Sequence, residues 1–179
     1  MPYYVRLGEI PPKRHTQFRK PDGSLYREEL VSSKGFSGIY SNLYHLYQPT
    51  NVREVLKPRP YHFEYAENYG LRQTHLKTSS ITTTGKDYLE ARVPLLANQD
   101  VVMSICCPEY RTMDYFYKNA DGDELIFVHD GEGELVSQFG RLPFKKGDYV
   151  VIPRTTIYRL SFTSSPVRLL IIESRMPIE

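Results

Sequence analysis

No stretch of the 179-residue chain approaches the roughly 20 consecutive apolar residues that a membrane-spanning helix needs. The start, Met1-Pro2-Tyr3-Tyr4-Val5-Arg6, lacks the apolar block of a secretory leader. Both absences make the cytosol the expected compartment. An excess of one charge is missing too. The 23 Lys and Arg against 21 Asp and Glu leave a net charge of +2, too little for the basic field of a dedicated nucleic-acid or anionic-membrane binder. The 15 tyrosines and 8 phenylalanines lack the interleaved Lys/Arg stripe of a nucleic-acid platform and read as core and interface material. Cysteine is confined to the neighbours Cys106-Cys107. A trans peptide holds their Cα atoms about 3.8 Å apart, shorter than an unstrained disulfide allows. Thiols packed in a strand are therefore expected, with a redox pair or soft-metal site as the alternative. There is no internal repeat and no low-complexity tract.

What is present is enough for one folded domain. Hydrophobic residues make up 40% and charged residues 25%, close to the soluble globular average. The chain divides near residue 60. Residues 1–59 read as an extended arm with short strands, because Pro11-Pro12, Pro21-Asp22-Gly23-Ser24, Ser32-Ser33-Lys34-Gly35 and Gly38 interrupt every period. One short helix is expected there, capped by Thr50 or Asn51 with Glu54 as the capping-box partner of Asn51, and stopped at Pro58.

Residues 60–179 carry β-branched and apolar runs at short intervals between Gly, Pro, Asn and Asp, the rhythm of an all-β sandwich or barrel. Strands are predicted near 61–66, 74–83, 87–93, 100–106, 114–118, 124–129, 134–139, 149–152, 157–163 and 167–174. The clearest unit reads as a hairpin, 124–129 returning through Asp130-Gly131-Glu132-Gly133 into 134–139. Tyr158, Leu160 and Phe162 alternate with Arg159, Ser161 and Thr163, which gives that strand one core face and one wet face.

The segment from Tyr117 to Phe162 resembles the cupins, small double-sheet jelly rolls. Glu124 followed by six residues and Gly131 fits the end of that family's first motif, and Gly147 followed by five residues and Pro153 fits the start of its second. The metal-binding half of the pattern departs. The paired-histidine positions fall on Tyr117 and Asn119, or on Lys118 and Ala120, and the remaining histidine position falls on Tyr158. The second motif's later glycine is Thr155 and its asparagine is Phe162. Only Glu124 among these coordinates well, and one carboxylate does not hold a divalent ion. The expectation is a cupin-like jelly roll lacking the metal-ligand set, with no catalytic, cofactor-binding or metal residue on this chain.

Longer blocks carry a narrower resemblance. These are Arg6-Leu7-Gly8-Glu9-Ile10-Pro11-Pro12-Lys13-Arg14-His15-Thr16-Gln17-Phe18-Arg19, Pro21-Asp22-Gly23-Ser24-Leu25-Tyr26-Arg27-Glu28-Glu29-Leu30 and Gly35-Phe36-Ser37-Gly38. Further along stand Asn119-Ala120-Asp121-Gly122-Asp123-Glu124, Gln138-Phe139-Gly140 and Lys146-Gly147-Asp148-Tyr149-Val150-Val151-Ile152-Pro153-Arg154. Together they resemble the amino-terminal half of the homogentisate 1,2-dioxygenases. The resemblance implies a ring-cleaving oxidoreductase of tyrosine and phenylalanine breakdown that uses non-haem Fe(II) held by two histidines and a carboxylate. It places those ligands in a carboxy-terminal domain, beyond the linker expected to follow Arg168-Leu169-Leu170-Ile171-Ile172-Glu173. It also implies homo-oligomers. On this reading the 179-residue chain is inactive alone, its iron belongs to the parent enzyme, and it contributes scaffold and subunit contacts.

Two rivals stand beside it: a free-standing cupin that binds a small ligand without catalysis, and a small metalloenzyme. For the second, His62 and Glu64 share a face of an expected strand, with His75 or His129 as a third ligand. Tyr158 also invites comparison with metal-free epimerases that use a barrel tyrosine, although a core ring with its hydroxyl bonded is the simpler expectation. His15 and His45 lie in the arm, and Arg14, Arg19 and Lys20 read as solvated or paired cations.

Overall fold

The computed structural model describes residues 17–32, 34–57, 65, 73–82 and 87–178. Among the described residues eleven strands run in the order β1 (Arg27–Ser32), β2 (Tyr40–His45), β3 (Arg92–Ala97), β4 (Val101–Cys106), β5 (Tyr117–Lys118), β6 (Asp123–Asp130), β7 (Glu132–Ser137), β8 (Gly140–Lys145), β9 (Tyr149–Ile152), β10 (Ile157–Phe162) and β11 (Arg168–Ser174). Strands β3-β4-β11-β6-β9 form one sheet and β5-β10-β7-β8 another, all neighbours antiparallel. The fold is a cupin-like double-sheet jelly roll with an extended amino-terminal arm, in which β1 and β2 pair as a separate ribbon. Among the described residues no helix is long and apolar enough to cross a membrane.

Period-two alternation builds the core. Ile126 and Val128 from β6, Val150 and Ile152 from β9, and Leu169 and Ile171 from β11 point inward from the larger sheet. Leu135, Phe144, Tyr158, Leu160 and Phe162 meet them from the smaller one. The alternation expected at Tyr158, Leu160 and Phe162 is borne out, since all three are buried between partly exposed neighbours. Cys106 is buried in β4 and donates to the Tyr88 carbonyl at 3.3 Å, and burial pushes its thiol up to about 12.

The expected hairpin at 124–139 is not formed. β6 and β7 follow one another through Gly131 alone, yet they belong to different sheets: β6 pairs with β11 and β9, β7 with β10 and β8. Gly131, at φ 104°, turns the chain from one sheet into the other. The same freedom that makes a tight return makes this corner, so the Asp-Gly-Glu-Gly pattern does not tell the two apart. The hairpin lies one strand later, where Ser137 pairs with Gly140 across Gln138-Phe139. Strand β8 escaped prediction because Arg141, Pro143 and Lys145 break its apolar run.

Other boundaries move for local reasons. Residues 74–82 hold only a 3₁₀ turn, Thr78–Ser80, tied down by Arg168, whose guanidinium donates to the carbonyls of Thr78 at 2.9 Å and Ile81 at 3.4 Å. Residues 87–91 turn because the Asp87 carboxylate accepts the Leu89 and Glu90 amides, so β3 begins only at Arg92. Of the expected strand 61–66, all but Tyr65 lies outside the described residues. The short helix expected after Thr50 is absent, and residues 51–57 have no repeating structure. Val52, Val55 and Leu56 are all exposed, and a helix of about two turns without a packed face is unstable in water.

Gly133 in β7 is required by close approach. A Cβ there runs into the Ser161 carbonyl and sits 3.0 Å from the Phe162 Cα, both backbone atoms of the paired strand. Gly133→Ala is predicted to destabilise the domain by about 1–3 kcal/mol through overpacking. Thermal and urea melts read this directly, and an unchanged midpoint contradicts it.

Candidate functional site

Alternation places Glu124 and Tyr158 opposite one another inside the jelly roll, each at 0% exposure. Glu124 is in phase with Ile126 and Val128 on β6, and Tyr158 with Leu160 and Phe162 on β10. Their side chains meet, the Tyr158 hydroxyl donating to Glu124 Oε2. The other carboxylate oxygen, Oε1, lies 2.7 Å from Arg92 Nη1, close enough for an ion pair although off the hydrogen-bond axis. Arg92 opens β3 with its side chain 7% exposed, and the same Nη1 lies 3.4 Å from Glu173 Oε2 on β11.

Aromatic rings enclose the guanidinium. Its central carbon lies 4.4 Å from the Tyr88 ring centroid and 6.0 Å from that of Tyr117. The Tyr158 ring meets Tyr117 and Tyr88 edge-on, at centroid distances of 5.6 and 6.3 Å. Burial drives the hydroxyls of Tyr88 and Tyr158 well above the usual phenol range. For Arg92 burial works against the charge, but Tyr88 and Glu124 outweigh it, so the guanidinium stays protonated. Burial raises the Glu173 carboxyl, with Arg92 opposing. Among the described residues Arg92 Nε and Nη2 and the Tyr88 hydroxyl are buried without a hydrogen-bond partner.

This cluster stands where the motif alignment seats a metal ion, and its residues do not fit one. Glu124 is the sole carboxylate among the aligned positions and is committed to Arg92 and Tyr158. Asn119 spends its side-chain oxygen on the Asp121 and Gly122 amides. Tyr117 presents a ring. A guanidinium against the carboxylate also repels any incoming cation. Among the described residues no group of three or more His, Cys, Asp or Glu is arranged to hold a metal.

The remaining sequence candidates do not converge within the described residues. His75 is exposed in the loop before the 3₁₀ turn, while His62 and Glu64 lie outside the described residues. His129 is exposed on β6 next to Phe127. His45 sits 2.7 Å from Glu29 across the β1–β2 ribbon, and His15 and Arg14 fall outside the description. Arg19 binds the Gly23 carbonyl and Gln17, and Lys20 the Leu46 carbonyl, as paired arm cations. Sequence reasoning expected Tyr158 with a bonded hydroxyl but missed Arg92, Tyr88 and Glu173. A signal existed in Arg92, a lone cation heading the apolar run Val93-Pro94-Leu95-Leu96-Ala97, and in Glu173, in phase with the inward Leu169 and Ile171. On its far side Glu173 lines an open cleft of about 770 Å³ with Asn98, Asp100, Asp121 and Arg175.

Comparison with known proteins shows the family of the chain. Residues 50–176 match the profile of the family described as homogentisate 1,2-dioxygenase N-terminal. The chain belongs to that family. A Saccharolobus solfataricus protein provisionally named a dioxygenase is 39% identical over 175 residues, which are 98% of this chain and 45% of that protein. The homogentisate 1,2-dioxygenase of Bradyrhizobium diazoefficiens is 36% identical over 56 residues, 31% of this chain and 12% of the enzyme. The chain thus spans less than half the length of either relative. Among solved structures, a cupin from Bacteroides fragilis aligns at TM-score 0.42 and 19% identity over 61% of this chain and 86% of its own. A conserved Streptococcus pyogenes protein of unknown function aligns at 0.47 and 14%, over 65% and 98%.

Removing one member of the buried pair strands the other. Arg92→Met and Glu124→Leu are each predicted to cost about 3–5 kcal/mol, and the double variant less than either single one. Tyr158→Phe, which leaves a carboxylate oxygen undonated, is predicted to cost about 1–3 kcal/mol. Urea unfolding of the four variants measures this, and additive losses in the double variant exclude coupling.

Proposed function

We propose that this chain is the non-metal jelly-roll domain of a homogentisate 1,2-dioxygenase-like enzyme of tyrosine and phenylalanine catabolism in the cytosol. It supplies scaffold and subunit contacts, while a carboxy-terminal partner domain holds the Fe(II) and opens the ring. The observation that carries this reading is the Arg92 guanidinium paired with Glu124, because the protein's own cation stands where an exchangeable one is needed for catalysis. Ring cleavage requires an iron with adjacent open positions for a catecholic substrate and O₂. A carboxylate shared between an arginine and a tyrosine offers neither.

The membership in the dioxygenase amino-terminal family and the match to less than half of its longer relatives support the division of labour. The packing of the core disfavours the free-standing binding module, which needs a roomy interior: the space among Ile126, Val128, Phe144, Val150, Leu160 and Leu169 does not admit a water. The extended arm and the cleft beside Glu173 are the surfaces available to neighbouring subunits and to the partner domain.

The purified 179-residue protein, loaded with ferrous iron and then desalted, is predicted to retain no stoichiometric metal and to consume no oxygen with homogentisate. Metal analysis and an oxygen electrode settle both. One equivalent of iron with turnover on this chain alone overturns the proposal.

A further inference from the structure

Glu124 on β6 and Glu173 on β11 are partners in the register of the larger sheet, and both follow the inward phase of their strands. Two carboxylates directly opposite one another repel unless a cation or a proton stands between them. One cation does. Arg92 Nη1 lies 2.7 Å from Glu124 Oε1 and donates to Glu173 Oε2 at 3.4 Å, so a single nitrogen serves both acids. The shares are unequal. Glu124 has the shorter contact and no exposure, whereas Glu173 has the longer one and keeps 28% of its side chain in solvent.

The other groups around Glu173 leave the imbalance in place. Asn119, whose side-chain oxygen is spent on the Asp121 and Gly122 amides, turns its amide nitrogen to the Glu173 carboxyl and brings no charge. Asp121 faces it from the loop before β6, and Asp100 and Arg175 line the same open cleft. Among the described residues the charged neighbourhood thus consists of Arg92 and Arg175 against Glu124, Glu173, Asp121 and Asp100.

We propose that Glu173 is a proton switch at the boundary between the buried ion pair and the cleft. In mildly acidic solution it holds a proton and Arg92 neutralises Glu124 alone; as the pH rises toward neutrality it releases the proton through the cleft, and two carboxylates compete for one nitrogen. Glu173 takes this role because it is the member of the pair that reaches solvent. Both Glu124 oxygens are already engaged, one by Arg92 and one by Tyr158. Burial works in the same direction, raising the Glu173 carboxyl above its ordinary 4.5, with Arg92 and the Asn119 hydrogen bond opposing and Glu124 and Asp121 adding to the rise. The switch does not rest on the ring-cleavage reading, since every group in it lies on this chain.

The consequence for stability has a definite sign. A proton held more tightly by the folded than by the unfolded chain stabilises the fold at low pH, and that contribution is lost as the pH climbs from 4.5 through the higher folded-state value. Glu173→Gln keeps the shape of the neutral acid and cannot ionise. Urea unfolding of the full chain and of this variant, from about pH 4 to about pH 8, reads the difference. The variant is expected to unfold at higher urea than the wild type at the alkaline end, with the gap shrinking as the pH falls and levelling off at the acid end. A gap that is constant with pH, or that widens toward acid, overturns the proposal. Carbon-13 NMR of the wild-type chain follows the Glu173 carboxyl directly, whether or not the variant folds. A titration midpoint above 4.5 is expected, and one at or below it overturns the switch.

Discussion

The ion pair between Arg92 and Glu124 is the constraint around which the interior is arranged. Two charges withdrawn from water cost several kcal/mol each, and their attraction offsets this only when geometry and surrounding hydrogen bonds are good. Here the surroundings are supplied residue by residue: Tyr158 donates to the second carboxylate oxygen, Glu173 approaches the same guanidinium nitrogen, and Tyr88 and Tyr117 lay rings beside it. None of these is near the others in sequence. The pair therefore acts as a register lock. Strands β3, β6, β10 and β11, together with the turn before β3, must all be in place before either charge is satisfied.

That lock explains why the smaller sheet is positioned by so few residues. β10 is the hub, flanked by β5 and β7, and its inward row runs from Tyr158 through Leu160 to Phe162. Tyr158 joins the polar cluster while Leu160 and Phe162 join the apolar core, so one strand bridges both halves of the interior. Slipping β10 by one residue would replace Tyr158 with Ile157 or Arg159, and Glu124 would lose its donor. Gly131 and Gly133 serve the same end from the other direction. One turns the chain between sheets and the other lets β7 press against β10.

The sequence shows most of the strands and little of their pairing. Alternation at Tyr158, Leu160 and Phe162, and the apolar run of β11, follow from local pattern, which is why those strands were legible. The hairpin error at Gly131 has the opposite origin. Partner choice depends on which sheet edge is free in three dimensions, and a turn sequence reports backbone freedom, not partner identity. Arg92 was missed for a related reason. A charged residue at the start of a strand ordinarily reads as solvated, and only the convergence of four distant elements marks this one as interior. The backbone of the motif outlasted its chemistry: at the position where the second motif has glycine, Thr155 keeps a positive φ of 71° and its amide donates to the Asn119 carbonyl.

A tethered guanidinium and a coordinated metal ion differ in a way that bears on the proposed division of labour. Both neutralise a buried carboxylate, but a metal keeps coordination positions that exchange with water and substrate, whereas Arg92 is covalently part of β3 and presents only N–H donors. Its charge is fixed at every physiological pH, and it cannot change oxidation state. A jelly roll stabilised in this way gains a permanent internal cation and forfeits the open positions on which oxygen chemistry depends. On the proposed division of labour, such a half would hold its shape whether or not metal is available, and a reactive centre in the partner domain would gain a frame whose folding does not vary with iron supply.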